Sequence, residues 1–136
     1  KIKEYMDSQI SFCRKNQYVE TMFGRKCFIR GINDKSFAMR GFSERQSINA
    51  PIQGTAADII KLVMIKIHEQ IGSQVIKAKM LLQVHDELVF EINDKEIKKA
   101  ISQIKYIMEN THTIYRNFQV PLVVDYGMGK NWGETH

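Results

Sequence analysis

The stretch Gln83-Val84-His85-Asp86-Glu87-Leu88-Val89-Phe90-Glu91 decides how this chain is read. Met80 to Val84 predicts one short buried strand and Leu88 to Phe90 another, so His85-Asp86 falls where a two-residue hairpin turn belongs. A carboxylate then sits at the tip, with a second acid, Glu87, beside it. Adjacent acids flanked by apolar strand are costly to desolvate unless water, a partner group or a cation meets them. The stretch alone leaves two readings open. Asp86 holds a divalent metal, or it is there because aspartate suits a tight turn.

Working outward toward the C-terminus, Asn93-Asp94 predict an N-cap and Lys95 to Asn110 an amphipathic helix, with Ile97, Ile101, Ile104, Ile107 and Met108 inward. Val120-Pro121-Leu122-Val123-Val124-Asp125-Tyr126 predicts a final strand, with Pro121 at its start where a missing N–H is tolerated. Gly127 to Trp132 is turn-like, and Trp132 is expected against the edge of the core.

Toward the N-terminus, Glu44 opens a long helical pattern whose apolar side includes Ile48, Ile52, Ala56, Ile59, Ile60, Val63, Met64, Ile67 and Ile71, ended by Gly72-Ser73. Pro51 predicts a kink, or a helix that restarts there. The opposite side carries Arg45, Asn49 and Gln53 at i, i+4 and i+8, which at about 100° per residue stay within a sector of roughly 80°. Such a row of hydrogen-bond donors suits the DNA minor groove, whose acceptors occur at every base pair. It equally suits a solvated face. Gly54 removes a side chain beside the row and predicts close approach by another molecule.

The first third predicts an amphipathic helix over Tyr5 to Asn16, short strands at Tyr18 to Phe23 and Cys27 to Ile29 around the basic turn Gly24-Arg25-Lys26, and a loop over Gly31 to Phe42. Residues 1–45 hold ten Lys/Arg against five Asp/Glu, whereas 46–136 hold ten against ten. All of the net +5 therefore lies in the first third. Arg25, Lys26 and Arg30 there are candidates for phosphate contacts or simply a solvated basic loop.

A chain of 136 residues with 43% hydrophobic and 26% charged residues suits one folded domain and excludes disordered, fibrous and membrane-spanning classes. Cys13 and Cys27 are too far apart for a CxxC pair and the four histidines lack ligand spacing, so neither a zinc site nor a disulfide framework is indicated. A reducing compartment is expected. The opening Lys1-Ile2-Lys3-Glu4-Tyr5-Met6 is helical in character and carries no signal segment, which points to part of a longer protein.

Four stretches resemble the C-terminal part of family A DNA polymerases of the bacterial polymerase I kind. They are Gly24-Arg25-Lys26; Glu44-Arg45 with Asn49-Ala50-Pro51-Ile52-Gln53-Gly54-Thr55-Ala56-Ala57-Asp58; Gln83 to Glu91; and Gly129-Lys130-Asn131-Trp132 through His136. The resemblance implies an α+β palm-like fold, a small antiparallel sheet (the hairpin plus the C-terminal strand) against two long helices. Residues 1–43 would be the end of the fingers and 44–136 the C-terminal part of the palm. Asp86 would be a catalytic metal ligand, Glu87 an accessory acid, and Arg45, Asn49, Gln53 and His85 the contacts to DNA. The implied cofactor is a pair of Mg²⁺ ions, only half held by this chain, and the implied partners are primer-template DNA, deoxynucleoside triphosphates and the upstream part of the same polymerase. Its location would be the bacterial cytoplasm, associated with the nucleoid, with no membrane partner. The other essential aspartate is expected upstream, so the isolated chain should be inactive. Arg30 departs from the family pattern, where a proline is common. The competing expectation is a non-catalytic duplex-binding module.

Overall fold

The computed structural model describes residues 1–111, 118 and 120–135. In order they form α1 (Ile2–Asn16), β1 (Tyr18–Glu20), β2 (Lys26–Phe28), α2 (Phe37–Gly72), β3 (Ala78–Val84), β4 (Glu87–Ile92), α3 (Ile97–Asn110) and a 3₁₀ turn at Trp132–Glu134. β1 pairs with β2 and β3 with β4, both antiparallel, giving two two-stranded sheets in an α+β chain. Packing divides the chain into two compact units, Lys1–Asp58 and Ile59–His136, with the boundary inside α2.

In the first unit, α1 ends because Gln17 turns left-handed at φ 64°, its N–H closing onto Cys13 O at 2.7 Å. The core is Cys13, Val19, Ile29 and Ile32, with Cys27 and Ala50 packed on it. Burial raises the Cys13 thiol pKa. A buried thiol with less thiolate reacts slowly, so iodoacetamide should label the half-buried Cys27 well before Cys13. Peptide mass spectrometry after brief native labelling checks this, and equal labelling would contradict the packing.

The segment read as a loop to Phe42 is helical from Phe37. Asp34 Oδ1 accepts the Ser36 N–H at 2.7 Å, and Arg40 Nη1 reaches back to Asp34 O at 3.1 Å, so the chain is turned and held just ahead of the first helical residue. Gly31 makes this entry possible. It sits at φ +80°, and a Cβ there would lie 2.9 Å from Met39 Cγ and 3.1 Å from Ser43 Oγ. Gly31→Ala should therefore cost about 1 to 3 kcal/mol in urea unfolding. An unchanged midpoint would mean that the entry is loosely held.

Pro51 neither ends nor restarts α2, which is continuous from Phe37 to Gly72. Hydroxyls on both sides of the proline bond to the helix backbone: Ser47 Oγ donates to Glu44 O at 2.8 Å and Thr55 Oγ1 to Pro51 O at 2.6 Å. The buried face matches the expected one only from Ile59 onward. It runs Ser43, Ser47, Pro51, Thr55, Ile59, Val63, Ile67, a strict i+4 series, while Ile52 is 59% exposed and Ala56 is exposed. At about 100° per residue an i+4 series winds by roughly 40° each step, so the buried stripe spirals around the helix.

In the second unit the hairpin forms as predicted, with Val84↔Glu87 as the closing pair and His85-Asp86 between them. The strands are longer than expected and half exposed, Leu81 at 52% and Leu82 at 48%. A register shift between Met80 and Leu82 changes the parity of β3. Leu82 and Val84 thereby share a face with Lys79, and Gln83 shares one with Met80. α3 begins at Ile97, not Lys95, because Asn93 caps a turn instead: its Oδ1 accepts Lys95 N–H at 3.1 Å and its O accepts Glu96 N–H at 2.8 Å. Ala100 and Ile104 are its buried residues.

The final strand predicted over 120–126 is absent among the described residues; Val120 and 121–126 have no ladder partner. Pro121 offers no donor, and Val124 N–H goes to Glu109 Oε1 at 3.1 Å, so a helix side chain takes the place of a neighbouring strand. Residue 119 lies outside the described residues. Glu134 folds the tail by accepting from Lys130 N at 2.9 Å and Asn131 Nδ2 at 2.6 Å, and Trp132 is 44% exposed. Among the described residues, no helix is long and apolar enough to cross a membrane.

Candidate functional site

The hairpin brings His85, Asp86 and Glu87 together at one tip. His85 takes the left-handed backbone conformation at φ 53°, which a two-residue hairpin needs at its first position. Gln83 Nε2 donates to His85 O and steadies the turn. All three side chains are exposed. Among the described residues, nothing donates a hydrogen bond or ion pair to the Asp86 carboxylate. An aspartate that served only the turn would ordinarily bond its own backbone a residue or two on. Asp34 and Asn93 do this in the same chain and Asp86 does not.

No group of three or more His, Cys, Asp or Glu side chains suited to a metal occurs among the described residues. Mg²⁺ keeps several waters and is commonly held by one or two carboxylates together with substrate phosphates, whereas structural zinc needs four protein ligands. One free carboxylate with a second acid next to it could hold Mg²⁺ only together with donors from elsewhere.

In the other unit, Arg45, Asn49 and Gln53 are exposed on α2. Each lies roughly 160° around the helix from the buried residue two positions earlier (Ser43, Ser47, Pro51), so the polar row spirals opposite the buried stripe. Among the described residues none of the three makes a side-chain hydrogen bond or ion pair. The row is fully available.

The basic turn is less available than its composition suggested. Arg25 Nε donates to Asp58 Oδ1 at 2.7 Å and its Nη2 to Gly54 O at 3.0 Å. The Asp58 carboxylate, through this bond and its charge, raises the Arg25 pKa above its ordinary value. Lys26 Nζ lies over the Tyr18 ring, 4.6 Å from its centre. Arg30 is exposed and has no acidic partner among the described residues. Gly54, read as an opening for another molecule, is instead filled by this chain. A Cβ there would come 2.7 Å from Thr21 Cγ2 and 3.1 Å from Arg25 Nη2. Sequence reasoning misses the Asp58 contribution; the available signal is its i+4 spacing from Gly54, which puts its carboxylate and the Gly54 carbonyl on one side of α2.

Known proteins resemble this chain along nearly its whole length. The model of DNA polymerase family A matches residues 1–134. DNA polymerase I of Caldicellulosiruptor bescii is 44% identical over 99% of this chain, and that of Pseudomonas aeruginosa 39% identical over 97%. The chain spans 15% and 14% of those two proteins. A solved structure of the POL domain of Pol1 from M. smegmatis, in complex with DNA primer-template and dNTP, matches 96% of this chain at 35% identity, with a TM-score of 0.86 and 22% of that chain covered.

Proposed function

The chain belongs to DNA polymerase family A, and from that premise we propose that it supplies the minor-groove grip and one metal-binding carboxylate of a template-directed DNA polymerase. The observation that carries this reading is the Asp86 carboxylate, exposed at a hairpin tip without a partner among the described residues. The reaction is attack of a primer 3′ hydroxyl on the α-phosphorus of a deoxynucleoside triphosphate, forming the new O–P bond while pyrophosphate leaves with the broken one. When bound, a pair of Mg²⁺ ions supplies activation of the hydroxyl and neutralisation of the leaving charge. Asp86 would hold Mg²⁺, and Glu87 lies next to it in an accessory role. Arg45, Asn49 and Gln53 bind the minor groove of the primer-template, and His85 lies near the primer end. In this reading residues 1–43 are the end of the fingers and 44–136 the C-terminal palm, working in the bacterial nucleoid. The primer-template and dNTP in the M. smegmatis complex support DNA and nucleotide as partners.

The other metal-binding aspartate and the nucleotide-gripping cations are expected on the upstream part of the polymerase. The test is primer extension by the isolated chain with Mg²⁺ and all four deoxynucleotides, alongside duplex binding by fluorescence anisotropy. No incorporation is the expected result, whereas salt-sensitive duplex binding without Mg²⁺ dependence would favour the non-catalytic duplex-binding module. Sustained incorporation would refute a divided site.

A further inference from the structure

We infer that Arg25 and Asp58 are positioning residues for DNA binding: they clamp the β1–β2 turn onto the turn of α2 that presents Gln53. The inference rests on the minor-groove reading above. It begins with Pro51. Lacking an N–H, Pro51 gives the Ser47 carbonyl no i+4 donor, so α2 is weakest within the segment that displays Arg45, Asn49 and Gln53. The next turn is braced from outside. Arg25 spans Asp58 Oδ1 and Gly54 O with one planar guanidinium, Met22 N–H donates to Thr55 Oγ1 at 3.0 Å, and Thr21 fills the space left by Gly54. Gly54 and Thr55, immediately after Gln53, and Asp58, a turn beyond, are thus tied to the β1–β2 turn. The carboxylate has no alternative holder. Asp58 is 12% exposed in its side chain, and its Oδ2 is buried without a hydrogen-bond partner among the described residues.

A clamp and a phosphate contact make opposite predictions, because a lysine keeps the charge of Arg25 but cannot bridge two acceptors in a fixed fork. In the longer polymerase carrying this chain, Arg25→Lys and Asp58→Asn should each weaken primer-template binding, by about 3- to 10-fold. For Arg25→Lys the slope of log affinity against log salt should stay unchanged, since the substitution keeps the charge that Asp58 neutralises. Combined with Gln53→Ala, either change should add less than it does alone, because both act through the same contact. Binding is measured well below the unfolding temperature of every variant, so that a purely structural role would leave it unmoved.

Each other pattern overturns the clamp. Near-normal affinity for Arg25→Lys, with Asp58→Asn tightening DNA, would make Arg25 a phosphate ligand. Full additivity with Gln53→Ala would make the pair independent of that residue. No effect of any variant but Gln53→Ala would leave the minor-groove row standing without its clamp. No effect of Gln53→Ala itself would remove the row, and the clamp with it.

Discussion

Asp86→Asn, made in a longer family A polymerase containing this sequence, is expected on the proposed function to lower kcat by about 10³-fold, close to 4 kcal/mol of lost transition-state stabilisation, while leaving duplex affinity within a few-fold. Asparagine separates the two readings that the sequence left open. It has the size of aspartate and is accepted in tight turns, so a residue present only for the turn would tolerate it. A metal ligand would not, because the change removes the negative charge. The fold should be indifferent: among the described residues Asp86 makes no internal bond to lose, so unfolding free energy should shift by no more than about 0.5 kcal/mol. Asp86→Ala should lose at least as much activity. Wild-type turnover in the asparagine variant would leave the chain as a non-catalytic duplex-binding module.

The hairpin was legible because its signal is local: two apolar runs separated by two residues define the turn, and the turn defines the tip. The register shift at Leu81 was not legible, since no glycine or proline marks it and it shows only in the pairing with β4. The long helix was legible in its lower half, where Ile59, Val63 and Ile67 are buried and apolar. In its upper half the buried positions are Ser43, Ser47, Pro51 and Thr55. Small hydroxyl residues can be buried there because each serine and threonine bonds to backbone, and a search for apolar spacing passes over them toward Ile52 and Ala56. The exposed row of Arg45, Asn49 and Gln53 followed from helical spacing alone, which holds wherever the helix is continuous. Arg25 and Asp58 are 33 positions apart, and nothing in either residue's own surroundings announces the other. The 120–126 segment shows the converse. β-Branched residues signal that a strand is acceptable, but a strand also needs a neighbour, and composition does not supply one.

Gln53→Ala and Arg45→Ala should each weaken primer-terminus positioning by about 1 to 3 kcal/mol, roughly 5- to 150-fold, in single-nucleotide incorporation or duplex affinity. Their salt dependence should differ. Arg45 carries a full charge and displaces counterions, so its loss should matter most at low salt; Gln53 is neutral, and its loss should be nearly the same at all salt concentrations. Both losses should be the same for A·T and T·A pairs, because the minor groove presents equivalent acceptors in either orientation. Geometry adds a sharper requirement. Four residues of helix rise about 6 Å, close to two base-pair steps of about 3.4 Å, so Arg45, Asn49 and Gln53 cannot all address the same pair if the row lies along the groove. A single mismatch moved stepwise from the primer end should therefore cancel the Gln53→Ala penalty at one position and the Arg45→Ala penalty at another, about four pairs apart. If both penalties vanish at the same mismatch position, α2 does not track the groove; if neither mutation has a penalty at all, the row faces water.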